Sequence, residues 1–301
     1  LTPFFLAWTM WRQFRLLIKT GKEFDIIDAH YYYPDGVAAA MLSLFVRLPI
    51  IITARGTDIN LIAKMRLPGM LVRWAATKAS RSIAVSSALK QKMEMLGFPV
   101  DRLEVLRNGV DLDRFRPLTG GDASKPGPKK PVQLLSVGNL VELKGHNLTI
   151  EALLELTDCE LTIVGDGQLR TALERLAYNL GVQNRVRFVG AVDQEDLISW
   201  YNSADILVLA SSREGMPNVV LESMACDTPV VATAAGGVPE IMTAPQAGVV
   251  AKARNAQEIA AGVLALLAHF PKPGETRRYA ERFAWNQTIS KLDELIEKVT
   301  H

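Results

Sequence analysis

Short apolar runs recur along this chain, and between them lie helix-length stretches whose apolar residues repeat at helical spacing. Such runs read as strands, and strands that alternate with helices argue for parallel β/α units. In the first part the strand candidates are Phe24–Ala29, Ile50–Thr53, Arg81–Val85 and Leu103–Leu106. The segment Thr119–Pro131, TGGDASKPGPKKP, is rich in glycine, proline and lysine and has nothing to bury, so it reads as a linker. After it come strand candidates at Val132–Val137, Leu161–Val164, Val186–Phe188, Ile206–Leu209 and Val230–Ala232. That set suffices for a doubly wound α/β unit, with ligands expected at the carboxyl ends of its strands. The 301 residues allow two domains, each with its own core. The predicted division is residues 1–116, a linker 117–131, a second domain 132–275, and a tail 276–301 whose helix, roughly Thr288–Val299, is amphipathic.

The composition, 49% apolar and 22% charged, is that of a globular protein. Cys159 and Cys226 have neither CxxC nor metal-ligand spacing, and read as small buried hydrophobes of a reducing compartment. Nothing in the chain is apolar for the eighteen or so residues that a membrane span needs. Charge is uneven: residues 1–116 hold 17 Lys/Arg against 10 Asp/Glu (+7), the rest 17 against 22 (−5), for a net +2. A basic first half suits phosphates or an anionic membrane surface, and equally a solvated surface. With four histidines and no interleaved basic and aromatic stripe, the chain is not expected to bind nucleic acid. The opening LTPFFLAWTMWRQFRLLIKT lacks the basic start and cleavage site of a signal peptide. It reads as a core-packing helix, with a membrane-interface helix carrying Arg12, Arg15 and Lys19 as the alternative.

Between Ser211 and Glu240 the sequence SSREGMPNVVLESMACDTPVVATAAGGVPE concentrates the chemistry. Pro217 suits a first helical turn and Asn218 its start, after which the helix runs through Val219, Val220, Leu221 and Met224 until Asp227-Thr228-Pro229 stops it. Glu214 then lies on the loop before the helix and Glu222 about one turn inside it. Between them stand backbone N–H groups and the positive end of the macrodipole. A carboxylate, an anion-binding helix start and a second carboxylate suit a ligand with hydroxyls at both ends and phosphates between. A nucleotide-sugar is such a ligand.

This stretch resembles the Glu-x7-Glu signature of retaining glycosyltransferases of family 4, which have the GT-B fold: two Rossmann-like domains facing a cleft. The resemblance implies that Glu214 contacts the donor sugar and Glu222 the ribose, and Gly236-Gly237-Val238-Pro239-Glu240 matches as well. Asp227 departs from the pattern, since the family usually has glycine there, and it is expected to strain the turn. The resemblance also implies that the terminal helix crosses back to the first domain. By the same comparison the first domain looks short, and the leading β/α units are expected to be missing.

Lys144 follows the first strand of the second domain, in Val137-Gly138-Asn139-Leu140-Val141-Glu142-Leu143-Lys144-Gly145-His146. A lysine just before a helix start opposes the macrodipole unless an anion sits there. The resemblance makes Lys144 the residue that neutralises the donor diphosphate. Asn139 stands where the family often has arginine, which removes one charge from that clamp. Val164-Gly165-Asp166-Gly167 invites a dinucleotide reading, but Arg170 stands where a third glycine is needed. By resemblance Gly165 lies near the nucleotide instead. The donor site is therefore expected to draw on Gly138, Asn139, Lys144, Gly165, Glu214, Gly215, Met216, Pro217, Asn218, Val219 and Glu222, with Glu214 and Lys144 carrying the chemistry.

Asp111-Leu112-Asp113 looks like a DxD metal site, yet it falls within Asn108-Gly109-Val110-Asp111, which matches the family's approach to the linker. No metal and no cofactor is expected. His30 and Arg55 with Asp58 follow strands of the first domain and are expected in the cleft on the acceptor side. The family often carries histidine where Arg55 stands, and arginine cannot act as a base.

The expected reaction is transfer of a sugar from an NDP-sugar, UDP by family default, to a hydroxyl of a glycan or lipid-linked acceptor, with retention and with domain closure completing the site. The resemblance sets this in polysaccharide or lipopolysaccharide assembly at the cytoplasmic membrane face. Rival readings are a nucleotide-sugar-binding protein that has lost catalysis, an NDP-sugar epimerase of the same fold, and, last, a dinucleotide oxidoreductase.

Overall fold

The structure, a computed structural model, describes residues 1–118, 128 and 130–300, so most of the expected linker Thr119–Pro131 lies outside the described residues. The chain divides into two compact units, Leu1–Asn108 with Asn286–His301, and Gly109–Trp285. The first break therefore falls before Asp111 and Asp113, which belong to the second unit.

In the first unit four parallel strands, β1 (Ile27–His30), β2 (Ile50–Ala54), β3 (Arg81–Ala84) and β4 (Leu103–Val105), pair in sequence order. Every residue of β2 is buried, as expected of a parallel strand covered on both faces. Ile51 and Ile83 from the sheet pack with Leu106 and with Leu295 of the terminal helix Trp285–Thr300, while Leu292 and Ile296 lie against the same cluster. Thr288 Oγ1 donates to the Arg107 carbonyl at 3.0 Å and ties that helix to the end of β4.

The helix Thr2–Lys19 corrects an expectation. It forms, but it does not pack into the core: Pro3 is its one buried residue, whereas Phe4, Phe5, Trp8, Leu16, Leu17 and Ile18 are exposed. Its Phe4, Trp8 and Trp11 line an apolar groove of about 740 Å³ with Leu42, Phe45 and Trp74. Arg12 and Arg15 lie over the rings of Trp8 and Trp11, 5.0 and 4.9 Å from their centroids. Among the described residues no helix is long and apolar enough to cross a membrane.

The second unit holds β5 (Val132–Val137), β6 (Cys159–Val164), β7 (Val186–Gly190), β8 (Ile206–Leu209), β9 (Val230–Thr233) and β10 (Gly248–Ala251). They form one parallel sheet in the order β10-β9-β8-β5-β6-β7. The sequence reading missed β10, which is a four-residue strand opened by a glycine. Its core runs through Leu134, Leu161, Ile163, Ile206 and Val208 and is covered by Ile150, Leu173, Ile259 and Val263. Because β5 lies between β6 and β8, the chain leaves the sheet in opposite directions on either side of it. That is a topological switch point, and the loops after β5 and β8 open there.

Candidate functional site

The two loops at the switch point supply the two residues expected to carry the chemistry. After β5 the chain turns through Gly138, at φ +147°, then makes a single 3₁₀ turn over Glu142–Lys144 and reverses at Gly145, at φ +68°. The helix His146–Ala152 starts at once after it. A side chain at Gly145 would stand 2.3 Å from the Ala210 carbonyl, so the β5 and β8 loops approach as closely as they do because that residue is glycine. Lys144 folds back along Gly138 and donates from Nζ to Oε1 of Glu214 at 2.8 Å. Both side chains are largely sheltered, at 21% and 12% exposure, and form an ion pair. The loops are tied further by Ser212 N–H to the Leu143 carbonyl at 2.9 Å. Arg254 adds to this by donating to the Ala210 and Glu142 carbonyls at 2.9 and 3.2 Å. Arg254 was not foreseen, because contacts to backbone carbonyls leave no motif.

Gly165 closes β6 at φ +140°, and a Cβ there would meet the Gly138 carbonyl at 2.0 Å. It therefore packs beneath the Lys144 loop. The helix that follows this loop begins at Arg170, three residues after Gly167. Asn139 is exposed on the same loop, with its carbonyl accepting from Val141 N–H at 2.8 Å. Beneath it, His146 is buried, with Nδ1 3.0 Å from Ser136 Oγ and Nε2 without a partner among the described residues. Burial holds its imidazole down to about 4.

The helix Asn218–Ala225 forms as expected, with Pro217 at its N-cap. Gly215, Met216 and Pro217 are buried, Val219 is half-buried and Asn218 is exposed. The loop holding Glu214 leans on a second glycine: Gly236, at φ +55°, sits where a Cβ would be 2.1 Å from the Glu214 carbonyl. Gly237 N–H donates to the Gly215 carbonyl at 2.9 Å. Glu222 faces inward, only 8% exposed, and accepts from the Tyr201 hydroxyl at 2.8 Å. Burial raises its carboxyl, opposed by hydrogen bonds from Tyr201 and Gln194 and by the charge of Arg114. Tyr201 is a further residue the sequence did not single out; it lies on another helix, Gln194–Ser203.

Asp227 adopts φ +60°, the left-handed conformation that glycine would take without strain. Its carboxylate accepts from the backbone N–H groups of Gly274 at 2.7 Å and Arg277 at 3.0 Å, where the helix Glu275–Ala280 starts. The strain expected of this departure is thus offset by a capping role. Asp111 likewise has a local task, since its Oδ1 accepts from Asp113 N–H at 3.1 Å and Arg114 N–H at 2.9 Å.

In the first unit the three acceptor-side candidates separate into two kinds. Asp58 is wholly buried, not exposed to a cleft as expected. Its carboxylate accepts backbone N–H bonds from Tyr32 (2.8 Å), Gly56 (2.8 Å) and Arg55 (3.2 Å), and so pins the loops after β1 and β2 to each other. His30 and Arg55 stand at the ends of β1 and β2 and touch: Arg55 Nη2 lies 2.8 Å from His30 Nδ1. Arg55 Nη1 donates to Asn108 Oδ1 at 2.9 Å, and His30 Nε2 is 3.3 Å from Asp28 Oδ2.

Comparison with known proteins bears on both units. The family model described as Glycosyl transferases group 1 matches residues 122–283, and that described as Glycosyltransferase Family 4 matches residues 2–114. Over 287 residues the chain is 29% identical to an uncharacterized glycosyltransferase of Methanocaldococcus jannaschii, covering 87% of this chain and 72% of that protein. Over 300 residues it is 29% identical to the D-inositol 3-phosphate glycosyltransferase of Geodermatophilus obscurus, covering 90% of this chain and 65% of that protein. Among solved structures, Anabaena HepE in complex with UDP-glucose is similar in fold, with a TM-score of 0.79 at 21% identity over 94% of this chain and 81% of that one.

Proposed function

The chain belongs to the group 1 glycosyl transferases, with the GT-B fold, and on that premise we propose that it moves a sugar from a UDP-sugar to a hydroxyl of a glycan or lipid-linked acceptor, with retention and without a metal ion. The observation that carries this reading is the Lys144–Glu214 pair, a cation and a carboxylate brought together from the two loops at the switch point. UDP as the carrier follows HepE, which was crystallised with UDP-glucose.

As the bond from the anomeric carbon to the β-phosphate oxygen breaks, the sugar gains oxocarbenium character and the diphosphate gains charge. Lys144 and the helix start at Gly215–Asn218 stabilise that charge. Glu214 accepts from sugar hydroxyls and Glu222 from the ribose, so that binding energy orients the reacting carbon. No carboxylate of the site is assigned as a covalent nucleophile. The acceptor oxygen attacks on the face the diphosphate leaves, and its proton passes to the departing phosphate.

The same reading places the enzyme at an anionic membrane face, where the aromatic and cationic side chains of Thr2–Lys19 make contact. A second reading, donor binding without turnover, is favoured by one residue: Arg55 replaces a histidine common in the family and cannot take a proton.

Thermal-shift titration with UDP, GDP, ADP and NAD tests the donor site. UDP at about a hundred times its dissociation constant is expected to add roughly 2.7 kcal/mol of stability. Lys144→Ala should remove most of that shift. A response to NAD alone would overturn the reading. Release of UDP from UDP-sugar only in the presence of an acceptor separates turnover from binding alone.

A further inference from the structure

Three half-buried arginines of this chain, Arg185, Arg277 and Arg55, differ in what satisfies them. Arg185 donates to the carbonyls of Leu153, Leu156 and Cys159, and Arg277 to those of Leu112, Phe115 and Ala225. Each is a finished structural clamp. Arg55 is not finished. Of its five N–H groups, one goes to Asn108 Oδ1 and one to His30 Nδ1, both neutral acceptors. Among the described residues no carboxylate stands within 4.0 Å of its guanidinium. The nearby Asp58 carboxylate is committed to backbone N–H groups, and Asp28 is turned to the far nitrogen of His30.

The hydrogen-bond pattern also fixes the imidazole. A guanidinium only donates, so His30 Nδ1 carries no proton and Nε2 holds it toward Asp28. His30 and Asn108 therefore orient the fork of Arg55 from either side. The backbone beside His30 is held in a conformation that a residue with a side chain rarely adopts, Tyr31 at φ +81°, while Gly56 beside Arg55 takes φ +131°, which glycine allows. Asp58 secures both loops through Tyr32, Arg55 and Gly56. Desolvation lowers the affinity of Arg55 for its proton, opposed by the more distant charges of Asp28 and Asp58, neither of which pairs directly with the guanidinium.

We infer that Arg55, oriented by His30 and Asn108, is a receptor for an anionic group, a phosphate or a carboxylate. Two parallel N–H bonds to such a group match the planar fork, and lysine could not reproduce them. Where the chain acts as a glycosyltransferase, the anion belongs to the acceptor, so the preferred acceptors are phosphorylated or acidic. Only that last assignment rests on the proposed function. The anion site itself stands on the first unit alone.

The full-length chain labelled with ¹⁵N-arginine provides the test. The Arg55 Nε–Hε resonance is assigned from its loss in Arg55→Lys, then followed during titration with inorganic phosphate, with acetate, and with chloride at matched ionic strength. A saturable shift with phosphate or acetate that chloride does not reproduce is expected, and the anion acting at lower concentration identifies the preferred class. Arg55→Gln should weaken binding of that anion at least tenfold, and Arg55→Lys by less, with melting curves confirming that both variants fold. A resonance that responds to all three salts alike, or not at all, overturns the inference. UDP binding measured on the same samples separates the two readings: anion binding without UDP binding removes the transferase donor site and leaves Arg55 as inferred. UDP binding with an unresponsive Arg55 does the reverse.

Discussion

Asp58 illustrates how a carboxylate beside a candidate site can be structural. Its side chain is 0% exposed and is surrounded by backbone donors from Tyr32, Arg55 and Gly56. Truncation to alanine leaves those N–H groups buried and unpaired, at about 1–3 kcal/mol each for those that find no water. Asp58→Ala is therefore expected to lower unfolding stability by about 3 kcal/mol in urea titration, and Asp58→Asn, which keeps one accepting oxygen, by less. His146 gives a pH signature of known sign. Its folded pKa, about 4, lies below the ordinary 6.5, so the unfolded chain binds the proton more readily. Its contribution is present above pH 6.5 and is lost as pH falls toward 4, by about 3 kcal/mol at most. His146→Gln should flatten that part of the stability profile, as read by denaturation midpoints between pH 7 and 4.

At the scale of elements, the turn at Asp227 joins two helices through one residue. Asp227→Ala keeps the left-handed strain and removes the cap on Glu275–Ala280, so it is expected to cost about 2 kcal/mol. Asp227→Gly relieves the strain while still losing the cap, and should cost less; thermal melting of the pair checks the order. Elements were legible in the sequence where one physical signal dominates. Runs such as Ile50-Ile51-Ile52 announce strands buried on both faces, and the order of strands and helices then dictates a parallel sheet. Lys144 and Glu214 were picked out by the family resemblance of the segments that carry them, whereas the close backbone approaches at Gly145 and Gly236 show only in the structure. What could not be read was partnership. Helical periodicity in Thr2–Lys19 says that a helix forms, not which face is covered, and Asp58 and Arg55 lie three residues apart with opposite fates. Tyr201 meets Glu222 from another helix, a contact no spacing encodes.

For the whole molecule, the uneven charge and the exposed aromatic residues of the first unit act in the same direction. Thr2–Lys19 carries Arg12, Arg15 and Lys19 and no acidic residue, alongside exposed Phe4, Phe5 and Trp8. Each such cation is worth about 1 kcal/mol near an anionic surface at low salt, and the effect decays within a Debye length of about 10 Å at 0.1 M. Co-sedimentation with vesicles containing phosphatidylserine should therefore exceed that with phosphatidylcholine alone and fall as salt rises. Trp8→Ser with Phe5→Ser should weaken binding to both kinds of vesicle, since the aromatic contribution is apolar. Equal sedimentation with neutral and anionic vesicles would remove the electrostatic part of that proposal.

The Lys144–Glu214 contact has a kinetic consequence. On the proposed reading, the ion pair with Lys144 leaves Glu214 with little acceptor strength for a lone sugar. A diphosphate that draws Lys144 away frees the carboxylate to recognise hydroxyls, which makes the order of arrival matter. Glucose offered alone should leave calorimetry flat, whereas the UDP portion of a donor binds first and admits its own sugar. Lys144→Met, with the carboxylate unmasked, should lose that dependence on sequence of binding even as it loses affinity for UDP.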